Sequence, residues 1–160
     1  MLALEDPAWA DLKDARGSAA GTPDLLRELQ TRPAGRPLWR EIEATLCPGG
    51  TAWSAGAAAV PHVVGDASLR RRIDRLNHIA FVGHVAFGSR DLGDDLDPRF
   101  AQTAYEAATE TAKRIASDRE IAQTWEPWEA EYLFLACAHL AGRLRRVCAG
   151  GPLDGAVRVA

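Results

Sequence analysis

An all-α fold of six to eight helices is predicted by three features of this sequence. Alanine abounds, nearly every cation is arginine, and runs of Val, Ile and Thr of the strand type are missing, so the composition favours helix throughout. Asp6-Pro7, Thr22-Pro23 and Asp97-Pro98 each set a capping side chain ahead of a proline, the signature of a helix start. Two stretches, residues 76–87 and 132–141, are apolar on almost every side. A helix that is apolar all round is covered all round, so these two should lie side by side in the interior while the others wrap them. Neither is long enough to cross a bilayer.

In chain order, Asp6-Pro7 opens a helix over residues 8–15, with Trp9 and Leu12 on its apolar side. Gly17 and Gly21 bracket a turn. Thr22-Pro23 starts the next helix, residues 24–31, with Leu25, Leu26 and Leu29 inward at helical spacing. Pro33-Ala34-Gly35 breaks it, and Pro37 opens a helix whose stripe is Leu38, Trp39, Ile42 and Leu46. Cys47-Pro48-Gly49-Gly50 is the stop. Residues 51–64, TAWSAGAAAVPHVV, carry mostly small side chains, which let neighbouring backbones come close, so this is an inner helix. Pro61 removes the bond to the carbonyl of Ala57, and a kink or an ending is expected there.

Ser68 is the cap for the helix of residues 69–88. Residues 88–97 form an acidic loop, and Asp97-Pro98 starts a long helix to about Ser117 with Phe100, Ala104, Ala107, Ala108, Thr111 and Ile115 on its core stripe. Ser117 and Glu120 have capping-box spacing for a short helix ending near Trp125. Pro127 opens the last helix, and Gly150-Gly151-Pro152 ends it. One domain over residues 1–152 is expected, with a tail of residues 153–160 that has too little to anchor it.

The net charge of −3 and an isoelectric point near 5.8 give no general pull toward nucleic acid or anionic membranes. Cys47, Cys137 and Cys148 are odd in number and lack C-x-x-C spacing, against both a disulfide framework and a zinc cage. The first residues, MLALEDPAWADLK, are not of secretory-signal type, and a cytoplasmic setting with reduced thiols is the expectation.

Pro7-Ala8-Trp9-x-x-Leu12 is echoed by Pro37-Leu38-Trp39-x-x-Ile42, each followed by a second helix. A helix pair repeating in this way suggests a short superhelix of stacked antiparallel pairs, although so few units could also close into a globule. Further, Trp9-Ala-Asp-Leu12, Gly17-Ser-Ala19, Thr22-Pro23-Asp24-Leu25-Leu26, Trp39, Leu46-Cys47, Gly50-Thr51 and Ala57-Ala-Ala-Val60-Pro61 resemble a group of small bacterial HEAT-repeat-like proteins. The resemblance covers the first 65 residues. It implies stacked helices and a binding role, and supplies no catalytic residues. This chain departs from the group at Pro48-Gly49-Gly50, where a His-Gln-Gly turn recurs in the others.

Asn77, His78, His84 and His139 are the ligand or pocket candidates, being the polar groups of the two apolar stretches. His78 and His84 are six residues apart, about 240° around a helix, so one helix cannot aim both at one metal. Histidines satisfied within the core are the plainer reading, with Asp74 a natural partner of His78. Asp91, Asp94, Asp95 and Asp97 lack the alternation of a calcium loop. Arg70, Arg71, Arg72 and Arg75 form the best basic cluster, and Arg71 and Arg75 are the interaction candidates within it, set against a salt-bridged face. Trp125 and Trp128 flank Glu126-Pro127 at a helix junction, a suitable place for a partner's anchor.

No nucleophile, P-loop, zinc-protease or cofactor motif is present, so the chain leans away from an enzyme, with no cofactor and no metal expected. The leading expectation is a non-enzymatic helical-repeat module binding another protein, of the inhibitor or immunity type. A helical-bundle enzyme or ligand binder with a His-lined pocket comes second. Nucleic-acid binding through Arg70 to Arg75 comes last, and no membrane partner is expected.

Overall fold

The innermost helix is α3 (Ser54–Val64), all of whose eleven residues are buried. The computed structural model describes residues 1–31, 35–65, 72–88 and 98–148. Among them the fold is all-α, with α1 (Thr22–Thr31), α2 (Arg36–Leu46), α3, α4 (Arg72–Gly88), α5 (Pro98–Ser117), α6 (Arg119–Gln123) and α7 (Pro127–Cys148). Three short 3₁₀ turns, at Pro7–Asp11, Ala19–Gly21 and Pro48–Gly50, link them.

Small side chains make the enclosure of α3 possible. Gly56 packs so closely on the end of α2 that a Cβ there would stand 3.0 Å from the carbonyl oxygen of Leu46. On its other sides α3 meets α1, α4 and α5. The facing residues of α5 are small too, with Ala101, Ala104, Ala108 and Ala112 buried. The C-terminal carbonyls of α3 are met from α5: Thr111 Oγ1 donates to Val64 O at 3.4 Å and the Arg114 guanidinium donates to Gly65 O at 3.2 Å. The helix runs through Pro61 to Val64 and does not end at the proline.

From α3 onward the helices close on themselves, since α3 packs on α4, α4 on α7, α7 on α5 and α5 back on α3. The α2 stripe expected from the sequence is buried in full at Leu38, Trp39, Ile42 and Leu46. Gly49 and Gly50 take positive φ angles of 60° and 83°, which is how the chain reverses between α2 and α3. None of residues 75–87 in α4 is exposed, as the apolar run predicts.

Three sequence readings need correction. The helix over residues 8–15 is only the 3₁₀ turn Pro7–Asp11, although Asp6 does cap it through Ala8 N at 2.9 Å. The chain then turns instead into a hairpin of β1 (Lys13–Asp14) and β2 (Gly17–Ser18), with Gly17 at φ 112°. Tertiary bonds hold that hairpin: Lys13 N donates to Ser54 Oγ at 2.8 Å and Ala15 N to Thr45 O at 2.9 Å. Secondly, α6 is capped by Asp118, whose carboxylate accepts from Glu120 N and Ile121 N, and not by Ser117. Thirdly, α7 is not interior. Leu133, Ala136, Cys137 and Leu140 are buried, whereas Phe134 and Leu135 are half exposed. The expected break at Pro33, the Ser68 cap, the acidic loop of residues 89–97 and the tail lie outside the described residues.

Where α4 meets α7, the Tyr132 ring lies on the backbone of Gly83. A Cβ at position 83 would stand 2.6 Å from both Cε1 and Cζ of that ring. Gly83→Ala is therefore expected to destabilise the fold by about 1–3 kcal/mol, as overpacking does. Urea titration should show a lowered midpoint for Gly83→Ala, largely restored by adding Tyr132→Ala, and an unchanged midpoint would contradict this packing.

Candidate functional site

The histidines are spread over separate surroundings. His78, in α4, is almost wholly buried and meets the Trp39 ring edge-on, with centroids 4.7 Å apart. His84, two turns on, is half-buried with Nδ1 4.0 Å from Cys47 Sγ. His139, on α7, packs against the Phe87 ring at 4.2 Å. Asn77 is half-buried on α4. A shallow depression of about 590 Å³ at the α2–α3 turn is lined by Arg40, Glu43, Cys47, Gly49 and Gly50, and of the four pocket candidates only His84 borders it. Among the described residues no group of three His, Cys, Asp or Glu side chains could hold a metal ion.

The thiol beside that depression is poorly suited to chemistry. Burial, reinforced by the Glu43 carboxylate, pushes Cys47 up to about 12, so at neutral pH it carries its proton. Thiolate, not thiol, is the nucleophile. Burial likewise raises Cys137.

His62, which the sequence left without a role, anchors the N-terminal segment. Its Nε2 donates to Leu2 O at 2.8 Å, while Gln30 Nε2 lies 3.5 Å from Nδ1, which fits an imidazole protonated on Nε2 alone. Two further side chains hold the same segment by its carbonyls: Trp9 Nε1 donates to Ala3 O at 2.9 Å and Arg27 to Leu4 O at 3.0 Å. Burial lowers the His62 pKa. The Leu2 carbonyl and Glu5 act against that shift, and the chain's own amino terminus adds to it.

Two of the interaction candidates are core residues. Arg75 is buried, donates to the Thr124 carbonyl and lies over the Trp125 ring, its guanidinium carbon 5.4 Å from the centroid. Trp125 is itself buried at 8% exposure. Glu129 shares the same turn, fully buried, and accepts from Glu126 N at 2.8 Å, which closes the start of α7. Arg75 is thus withdrawn from any phosphate backbone and Trp125 from any partner. Arg71 lies outside the described residues.

Trp128 stands as expected, half exposed at 50%, and it does not stand alone. Phe134 is 49% exposed and Leu135 48%. At 100° per residue Trp128, Glu131, Phe134, Leu135, Ala138 and Gly142 fall within an arc of about 120° on α7. Leu133, Ala136 and Leu140 fall on the opposite side and are buried. Over residues 128–142 the outward arc is therefore an apolar strip broken by one charge, Glu131. Phe134 and Leu135 were missed as site residues because an all-apolar run reads as core. The signal that could have marked them is the 3-4-3-4 spacing of 128, 131, 135, 138 and 142, a heptad seam on the outer side.

Comparison of the chain with protein-family models, with curated proteins and with solved structures returns no match. No described helix is long and apolar enough to cross a membrane.

Two outcomes follow from this chemistry. In a Cys148→Ser background the folded chain should react with a thiol reagent at pH 8 at least about tenfold more slowly than the urea-unfolded chain, because Cys47 and Cys137 are buried and protonated. A rapid native reaction would contradict it. For His62, an imidazole whose folded pKa lies below its ordinary 6.5 contributes full stability above pH 6.5. That contribution is lost as the pH falls toward the folded value, since the unfolded chain takes up the proton first. Urea midpoints measured between about pH 7.5 and pH 5 should fall more steeply for the native chain than for His62→Gln.

Proposed function

We propose that the chain is a non-enzymatic protein-protein interaction module whose contact surface is the outer strip of α7. The single observation that carries the reading is the half exposure of Trp128, Phe134 and Leu135 on one face of a helix whose other face is core. Contiguous exposed apolar residues mark places where another surface is meant to cover them, and an exposed Trp is the side chain most often found at the energetic centre of such a contact. A small helical body with one apolar face suits the inhibitor or immunity type of partner, which acts by covering part of another protein. That step rests on fold analogy.

The histidine-pocket alternative has less in its favour. Its three histidines have separate neighbours, and the thiol beside His84 is held in its unreactive form. Nucleic-acid binding loses Arg75 to the core.

The test is affinity capture with the immobilised chain, run in parallel with Leu135→Glu and with Gln102→Glu on the exposed face of α5. A protein identified on the native chain and on Gln102→Glu, but more than about tenfold depleted on Leu135→Glu, supports the reading, since truncating a central anchor costs about 2 kcal/mol or more. Equal recovery on all three baits would sink it, as would recovery of nothing.

A further inference from the structure

We propose that the cleft between the β1–β2 hairpin, α1 and α2 is a binding site for an alkylammonium ion, held by the Asp14 carboxylate and the Thr45 hydroxyl. The site shares no residue with the α7 strip, so it stands or falls separately from the interaction reading.

The residues come together for a local reason. Strand alternation turns Asp14 inward and leaves Lys13 exposed. The bond from Ala15 N to Thr45 O at 2.9 Å then holds the hairpin against the end of α2. The cleft so formed has a volume of about 290 Å³ and is lined by Asp14, Arg16, Asp24, Glu28, Glu41 and Thr45, with Leu25 as an apolar wall.

Two of these side chains point to a ligand. Asp14 is only 5% exposed. Among the described residues its carboxylate accepts one hydrogen bond, from Arg16 N to Oδ1 at 2.7 Å, and enters no ion pair. A carboxylate offers about four lone-pair sites, and withdrawing it from water with most of them unfilled is costly. Thr45, at 2% exposure, has a buried hydroxyl with no hydrogen-bond partner, which protein interiors seldom tolerate.

A cation that donates hydrogen bonds would answer both needs. Arg16 is already drawn to Glu41 at 3.5 Å on the exposed rim, and Asp24 to Arg27 at 2.7 Å. With four carboxylates to one guanidinium, the lining keeps an excess of negative charge. A bare divalent ion is disfavoured, because it needs several oxygens converging at about 2.0–2.6 Å. Among the described residues no three His, Cys, Asp or Glu side chains converge in that way. A guanidinium seeks both oxygens of a carboxylate, and the hairpin has taken one of those of Asp14. An ammonium needs only single oxygens. One N–H goes to Asp14 Oδ2 and another to Thr45 Oγ1, while the methylene chain lies along Leu25. A second ammonium on the same chain would meet the rim carboxylates, so a diammonium is held more tightly than a monoammonium.

Titration of the isotope-labelled full chain with 1,5-diaminopentane at constant ionic strength, followed by amide resonances, tests the proposal. Saturable shifts should gather around Asp14, Arg16 and Thr45 at millimolar amine. Binding should be more than about tenfold weaker in Asp14→Asn and several-fold weaker in Thr45→Val. Asparagine keeps an oxygen for Arg16 N, so the hairpin should survive, and without amine the thermal midpoint of Asp14→Asn should equal or exceed that of the native chain. A marked fall would overturn the claim that this charge lacks a partner within the chain. Nα-acetyl-lysine amide, titrated in parallel, distinguishes the sources of the ammonium. Tighter binding of the diamine assigns a free diamine, and tighter binding of the lysine derivative assigns a lysine side chain of another protein. Three results would each overturn the site: no saturable shift with either amine, affinity unchanged in Asp14→Asn, or the same shifts at the same concentration from magnesium chloride.

Discussion

Complete enclosure of an eleven-residue helix is the condition that shapes this molecule. Short side chains let other helices approach closely on every side, and α3 supplies them at Ser54, Gly56 and four alanines. The hairpin, α1, α4 and α5 all dock to it. Its first residue, Ser54, accepts the hairpin through Lys13 N, and His62 near its end holds the N-terminal segment at Leu2. Its last carbonyls are met from α5, some fifty residues later in the chain. Because these attachments come from the beginning, middle and later parts of the sequence, a larger side chain at Gly56 would push α3 off the Leu46 carbonyl and disturb all of them together.

Burial of charge follows a similar economy at the turn that opens α7. Arg75 and Glu129 are both withdrawn from water, which is costly for an isolated ion. Both find partners on the same short segment, Arg75 in the Thr124 carbonyl and the Trp125 face and Glu129 in the Glu126 amide. The turn that delivers the chain into α7 is therefore held from α4 on one side and from α7 itself on the other. A hydrophobic pair could pack there, but it would not orient the backbone of residues 124–126.

Much of this was legible in the residues. Proline one step into a helix marked the starts of α1, α5 and α7 to within two residues, because proline is favoured at the first helical position and disfavoured further in. The Leu38, Trp39, Ile42 and Leu46 stripe emerged buried in full, since nothing local competes with a clean 3.6-residue period. What failed was decided at long range. Residues 8–15 hold a sound helix signal, yet bonds to Thr45 and Ser54, thirty or more residues away, draw the backbone into a hairpin. At the candidate site the tryptophans show the same limit. Trp125 and Trp128 have equal standing in the sequence, and only the position of Arg75, fifty residues upstream, shows which ring is enclosed. Arg75 itself read as part of a basic surface because its three arginine neighbours do.

The all-apolar character of residues 132–141 predicts cover on every side, and the described helices do not supply all of it. They supply half: α4 and α5 close over Leu133, Ala136 and Leu140, while Phe134 and Leu135 face outward. The inner contacts also hold the outer face in place. With Tyr132 seated on Gly83, the α7 backbone has little room to rotate or slide without driving that ring into α4. Trp128, Phe134 and Leu135 are in consequence presented in fixed register on a helix already folded. A surface docking there would order few backbone groups, so even a modest apolar area can yield measurable association. The same rigidity leaves the strip few ways to repack around dissimilar partners.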